Sequence, residues 1–383
     1  MHIVFLSNEY PLEGVIHGGV GTFLKLLCPE LARRGHEVTV LGLGDVSQTR
    51  SVTVEGVKVI TIPFSKTPKV KALFNFKKIN NALEEIHRQL KIDVVEGPEM
   101  SFSFIRKIPG VTYLIRMNGG HHFFSEAEKR RVDRWKAYQE KRSFENADAV
   151  CGVSNYVIEH TKNYIDFSEK QGPVIFNPAN FTNFYKADPE KAVSGRLFFA
   201  GTICEKKGVR QIIKAFHQVK RKFPHTELYL AGRDWTYPDG SSYTEKIKEI
   251  IEEDIKSSIH FLGVLPNLDV PQWIESSEIC VYPSHMEAMP LAWIEVMSMG
   301  KPFVATKIGP AFELVDDGVS GLLADPLDHD ELASKIMEIL SDEALKVRLG
   351  ENAREKVLKE FSLETIADQS IAYYSKLVQN KQN

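Results

Sequence analysis

Residues 282–326 read YPSHMEAMPLAWIEVMSMGKPFVATKIGPAFELVDDGVSGLLADP, and they set the architecture. A buried strand, EICVYPS, runs into this stretch. An apolar helix is expected over 290–299, with Pro290 placed to open its first turn. Strands follow at 302–305 and 321–324. Strand, helix, strand in this order is the pattern of a parallel sheet covered by helices.

The same rhythm extends in both directions. Before this stretch, strands are expected at 196–200, 226–231, 258–262 and 279–282, with helices at 207–222, 241–255 and 267–276. After it come helices at 328–340, 342–359 and 363–378. The first half repeats the scheme with strands at 2–7, 36–42, 57–62, 93–96, 111–117, 149–153 and 173–176. Its helices are expected at 19–34, 75–90, 126–145 and 155–164. A polar stretch from Asn177 to Gly195 breaks the rhythm and reads as a linker. The fold class is therefore α/β, with two Rossmann-like doubly wound domains facing a central cleft. The first domain is expected over 1–180 and the second over 195–362. Folds of this kind bind ligands beyond the carboxyl ends of their strands.

Composition agrees with two ordinary cores. The chain has 383 residues, 43% of them hydrophobic and 26% charged, which excludes extended disorder and a membrane bundle. Nothing approaches the roughly 18 apolar residues of a membrane span, and the opening MHIVFLSNEYPLEG is too short in apolar run for a signal peptide. A cytoplasmic protein is expected, possible contact with the inner face of the membrane included. Cys28, Cys151, Cys204 and Cys280 are far apart in apolar segments and read as buried thiols. The net charge of -3 argues against a nucleic-acid partner. Charge is nevertheless uneven, with 26 Lys+Arg against 22 Asp+Glu in residues 1–195 and 22 against 29 thereafter. The basic excess lies in Lys66–Lys78 and Lys129–Arg142. Both runs read first as solvated helix faces. Val70, Leu73, Phe74 and Phe76 within the first make an anionic membrane surface the sharper alternative.

Four groups of residues could carry chemistry. Gly18 and Gly19, with Gly21, open a helix after the first strand, where backbone N–H groups and the helix dipole suit a diphosphate. Gly201 ends the strand RLFFA, and Lys206 and Lys207 stand just before Gly208, where a lysine can meet a phosphate. Arg233 follows the next strand as a third cation. Glu287 and Glu295, with seven residues between them, fall in a loop and over one turn inside the helix; two such carboxylates can accept hydrogen bonds from separate parts of one polyhydroxylated ligand. Asp328-His329-Asp330 has the spacing of a metal-binding Asp-x-Asp, but it opens a helical pattern and reads as a cap. No metal site is expected.

The Glu-x7-Glu segment, with G-x-P-x-x-A-T at 300–306 and DG-x-x-G at 317–321, resembles the retaining glycosyltransferases of family 4, which have the GT-B fold. GGVGTFLKLLCPELARRGHEVTVL near the start, FNPANFTNFY and the Lys207-Gly208 pair extend the resemblance over nearly the whole chain. It implies a nucleotide-sugar substrate, a UDP-sugar being expected, no cofactor, and a carbohydrate or lipid-linked acceptor. It also implies that a terminal helix at about 363–383 packs back on the first domain. It implies that Glu295 binds the ribose, Glu287 reaches the sugar hydroxyls, Lys207 stabilises the leaving diphosphate and the Gly18-Gly19 backbone caps it. Surface polysaccharide or glycolipid synthesis is the expected setting. Three positions depart from the pattern. Thr202 stands where the family has arginine, so Lys206 or Arg233 is expected to compensate. Gly309-Pro310 replaces a glycine pair. Asn118 falls on the family's cleft histidine, with His121 and His122 close by in a glycine loop as replacements. A nucleotide-sugar epimerase of the same architecture and a non-catalytic nucleotide-sugar-binding subunit are the rival readings.

Overall fold

The computed structural model describes residues 1–12, 18–65 and 71–382. Residues 66–70, which include the start of the first basic run, lie outside the described part. The chain divides into two compact units, Met1–Pro178 with Leu363–Asn383 and Ala179–Ser362. No helix among the described residues is long and apolar enough to cross a membrane.

The first unit runs β1 (His2–Leu6), α1 (Gly19–Arg33), β2 (Glu37–Gly44), β3 (Arg50–Val54), β4 (Val57–Pro63), α2 (Lys71–Gln89), β5 (Val94–Gly97), β6 (Thr112–Met117), α3 (His121–Ala127), α4 (Arg134–Asn146), β7 (Ala149–Gly152), α5 (Asn155–Lys162) and β8 (Gln171–Val174). Its strand order is β3-β4-β2-β1-β5-β6-β7-β8. All pairs are parallel except β3 with β4. The order reverses direction between β1 and β5, which is the switch point of a doubly wound sheet. β3 was not anticipated. VTV-EG-VKV is a hairpin whose Glu55 and Gly56 both take positive φ, 51° and 79°, the turn that matches strand twist.

The second unit runs β9 (Arg196–Ala200), α6 (Val209–Lys222), β10 (Glu227–Ala231), α7 (Tyr243–Lys248), β11 (Ile259–Gly263), α8 (Val270–Ser276), β12 (Ile279–Tyr282), α9 (Leu291–Ser298), β13 (Phe303–Thr306), α10 (Ala311–Leu314), β14 (Leu322–Ala324), α11 (His329–Ser341) and α12 (Glu343–Glu360). Its sheet is ordered β11-β10-β9-β12-β13-β14 and is parallel throughout. Near-continuous burial of β9, β12 and β13 is what helices on both faces demand. The last helix, α13 (Leu363–Gln382), returns to the first unit, where Ile366, Ala367, Tyr373 and Tyr374 join Phe5, Phe23, Leu27 and Val94 in one core. All four cysteines are free and buried.

Three expectations needed correction. The stretch from Asn177 to Gly195 is not a loose linker, because the Ala179, Ala187 and Val193 amides donate to the carbonyls of Phe361, Met299 and Ser276 in the second unit. The helix expected over 126–145 is two helices, with His121 and His122 in the first turn of α3 rather than in a loop. Asp133 restarts the helix as the cap of α4, accepting from the Trp135 and Lys136 amides at 2.9 Å. The helix expected over 241–255 stops at Lys248. Glu249, Glu252, Glu253 and Asp254 would have stacked like charges near its negative dipole end.

Candidate active site

In the second unit, the sequence-selected residues gather beyond the carboxyl ends of β9, β10 and β12. Gly201 and Gly232 bring the first two strand ends together, since a Cβ on Gly232 would stand 1.7 Å from the Gly201 carbonyl oxygen. Beyond them the Ile203 amide donates to the Arg233 carbonyl at 2.9 Å. A single turn, Glu205–Lys207, then ends at Gly208, which has φ 72° and would place a Cβ 1.9 Å from the Pro283 carbonyl oxygen. Only glycine combines that φ with that approach. The His285 amide donates to the Lys206 carbonyl at 2.8 Å on the other side of the turn. The lysine turn is thereby fixed against the loop that carries Glu287.

That fit produces a contact the sequence did not announce. Lys207 Nζ donates to Glu287 Oε1 at 2.5 Å, with the lysine side chain a quarter exposed and the carboxylate 13% exposed. Burial pushes the Glu287 carboxyl up, but the ammonium groups of Lys207 and Lys206 and hydrogen bonds from Lys207 and Ser284 outweigh it and hold the group below its usual range. Glu287 is therefore ionised and Lys207 is oriented before any ligand arrives. The two residues were assigned separate duties, and their 80-residue separation gave no signal of pairing.

Glu295 is the opposite case. It sits in α9, for which Pro290 is the cap. Its carboxyl has no hydrogen bond or ion pair among the described residues, and burial alone raises it to about 7. An acid held in this state is stabilised by any hydroxyl group that donates to it. Thr202 is half-buried and Arg233 exposed. Arg233 makes no ion pair among the described residues, whereas Lys206 is electrostatically tied to Glu287.

In the first unit, Gly18 is the cap of α1, and its N–H donates to Glu9 Oε2 at 3.0 Å. A carboxylate thus occupies one donor that the sequence reserved for a diphosphate. Gly19 is the first residue of α1. Asn118, Gly119 and Gly120 pass over two buried acids. The Asn118 amide donates to Glu99 Oε1 at 2.6 Å, and the Asn118 side chain donates to the Arg116 carbonyl. Glu99 is raised to about 7 by burial and by the neighbouring Glu140, against hydrogen bonds from local amides. Glu140 caps α3 from a distance, accepting from the His121 and His122 amides at 2.8 and 3.2 Å and pairing with His122 Nδ1 at 2.5 Å. A Cβ on Gly120 would meet Glu140 Oε1 at 1.6 Å, so the glycine makes this cap possible.

The two histidines now separate. His121 is buried, and its Nε2 accepts from the Asp133 amide at 2.9 Å. Burial, with Arg130 and Lys136 adding to it, lowers its pKa, so a neutral His121 ties α3 to α4. His122 stacks on Tyr164 at 4.8 Å and is held by Glu140, while its Nε2 makes no hydrogen bond among the described residues. Neither Glu99 nor Glu140 was picked out from the sequence. The pair Gly119-Gly120 was the available signal, because adjacent glycines mark a place where something bulky lies against the backbone.

Asp328 caps α11 by accepting from the Asp330 and Glu331 amides, as its spacing suggested. His217, Glu252 and Asp254 form a surface cluster with ligand atoms within 4.8 Å of one another. The histidine spends one ring nitrogen on each acid, at 2.8 and 3.4 Å.

Comparison with known proteins gives the same division. Residues 17–182 match the model of Glycosyltransferase Family 4 and residues 184–356 that of Glycosyl transferases group 1. Glycogen synthase of Mycobacterium tuberculosis is 24% identical, over 98% of this chain and 94% of its own. Sucrose-phosphate synthase of Thermosynechococcus elongatus superposes with a TM-score of 0.82 at 21% identity, covering 99% of each chain. Anabaena HepE, solved with UDP, does so at 0.76 and 18% identity over 98% of this chain and 100% of its own.

Proposed function

Since the chain belongs to the GT-B glycosyltransferases of the family 4 and group 1 type, we propose that it transfers a sugar, with retention, from a UDP-sugar to an acceptor hydroxyl without a metal ion. The observation that carries this reading is the contrast at the second sheet's edge: Lys207 held by an ionised Glu287, and a half-buried Glu295 with no hydrogen-bond or ion-pair partner among the described residues. Loss of a nucleoside diphosphate builds negative charge on the leaving phosphate. Lys207, fixed in advance, meets that charge with little reorganisation. Lys206 and the exposed Arg233 add positive potential where Thr202 brings none. Glu287 takes hydroxyl protons of the sugar as hydrogen bonds, and Glu295 takes those of the ribose. UDP as the nucleotide is supported by HepE, which was solved with UDP-glucose.

Screening UDP-, GDP- and ADP-sugars for protection against thermal unfolding tests the donor. A selective ligand at a hundred times its Kd adds about 2.7 kcal/mol of stability. Protection by the UDP-sugar, with transfer only when an acceptor hydroxyl is supplied, is expected. Conversion of the donor alone to another sugar would make the protein an epimerase, and protection without any transfer or hydrolysis would make it a binding subunit. Transfer is expected to persist in EDTA. Loss restored by Mg²⁺ or Mn²⁺ would overturn the metal-free reading.

The ribose assignment has its own pH signature. A carboxyl raised to about 7 is about one tenth ionised at pH 6 and nine tenths at pH 8. If ribose hydroxyls bind the ionised form, UDP-sugar affinity rises roughly tenfold over that interval and is level above it. The diphosphate of a UDP-sugar does not titrate there. Calorimetric Kd values from pH 6 to 8 check this, with Glu295→Gln expected to be flat. The same shift acts on folding with opposite sign, because a raised folded-state pKa costs stability as pH climbs from the unfolded value toward 7. Glu295→Gln is therefore expected to melt above the wild type at pH 8.

A further inference from the structure

The two basic runs of the first unit, some fifty residues apart in sequence, meet in space through a ladder of aromatic rings. Phe76 of α2 meets Phe104 edge-on at 5.4 Å, Phe104 stacks on Trp135 of α4 at 5.9 Å, and Trp135 stacks on Tyr138 at 5.6 Å. Leu73 lies one helical turn before Phe76 on the same face and extends the row. The outer members are not covered, since Leu73, Trp135 and Tyr138 are 48–51% exposed. Contiguous apolar exposure of this kind marks an interaction surface.

Charge decides what covers it. Lys71 to Asn80 carries three lysines and no acid, while Glu84 and Glu85 fall in later turns. In the first two turns of α4 the only acid is Glu140, which is buried under Gly120. Lys77, Arg131, Arg134 and Lys136 make no salt bridge among the described residues and flank Phe76 and Trp135 in sequence, while the cap Asp133, beside Lys136, is the one exposed acid at the start of α4. Phe104 is itself capped by the Arg142 guanidinium at 5.5 Å. Aromatic and aliphatic groups rimmed by unpaired cations match the headgroup region of an anionic bilayer, where rings sit at the boundary and cations meet lipid phosphates. A glycan platform would use the rings but has no use for Leu73 or for the cations.

We propose that the α2–α4 face is a docking surface for anionic lipid bilayers, anchored by Trp135, Tyr138 and Leu73. It requires no assumption about the donor or the reaction. The test is sedimentation of the full chain with vesicles of phosphatidylcholine and phosphatidylglycerol at 7:3, or of phosphatidylcholine alone. Binding to the anionic vesicles, a blue shift of Trp135 emission, and release in high salt are expected. Arg131→Ser/Arg134→Ser should weaken binding about 25-fold, each cation near the surface being worth about fivefold. Trp135→Ser/Tyr138→Ser should weaken it comparably, with unchanged melting and unchanged transfer to a soluble acceptor. Equal binding to both vesicles, or none, overturns the proposal. So does full binding by the aromatic double variant, or quenching of Trp135 by an oligosaccharide in a protein that ignores vesicles.

Discussion

Lys207→Ala is expected to lower turnover at saturating donor by roughly a hundred- to a thousandfold, the usual loss when one preorganised donor to developing charge is removed. Lys206→Ala is expected to lose far less. The expected asymmetry rests on placement: the Lys207 ammonium is held 2.5 Å from the Glu287 carboxylate at the edge of the sheet, and Gly208 fixes the turn behind it. Removing Lys207 also leaves Glu287 buried without its nearest cation, which costs stability as well as rate. The double variant Lys207→Ala/Glu287→Gln separates the two effects. It should recover most of the lost melting temperature and none of the lost turnover. Turnover by Lys207→Ala within a factor of ten of wild type would remove the leaving-group role. Equal large losses in both lysine variants would mean that Lys206 shares the load that Thr202 leaves unmet.

The boundaries of β9, β12, β13 and α9 were legible in the sequence because a parallel sheet covered on both faces needs unbroken apolar runs, and turn glycines and prolines frame them. The strand–loop–helix pattern singled out Glu287, Glu295 and Lys207, and the family resemblance gave each its expected role. Pairings between distant segments were not legible. Lys207 with Glu287, and Glu140 with the start of α3, depend on how loops from different strands meet. The early start of α3 escaped for the same reason, since its first turn is capped by Glu140 from the following helix. Glu295 illustrates the reverse limit. An acid inside an apolar helix reads as a residue in need of a partner, and the structure leaves it without one among the described residues.

The largest stability effect is expected far from these residues, where α13 joins the first unit. Arg116 on β6 and Glu96 on β5 are both buried, with Arg116 Nε donating to Glu96 Oε1 at 2.7 Å. Tyr374 of α13 donates to Glu96 Oε2 at 2.6 Å. Arg116 also donates to the Ile175 carbonyl at 3.2 Å and lies over the Phe23 ring at 4.8 Å. Glu96 thus answers a cation from the sheet and a hydroxyl from the last helix at once. Glu96→Ala strands the guanidinium in the core, which typically costs about 3–5 kcal/mol, whereas Tyr374→Phe removes one hydrogen bond to a charged group and should cost roughly 1.5–3 kcal/mol. Glu96→Leu/Arg116→Met should regain much of the loss, because an apolar pair carries no desolvation cost. Urea unfolding followed by amide exchange reports each unit separately. The loss should fall on α13, β5 and β6 while amides of the second unit keep their protection. If Glu96→Ala cost under 1 kcal/mol, or if the double variant were no better than the single, the buried pair would not be what fastens the last helix to the first sheet.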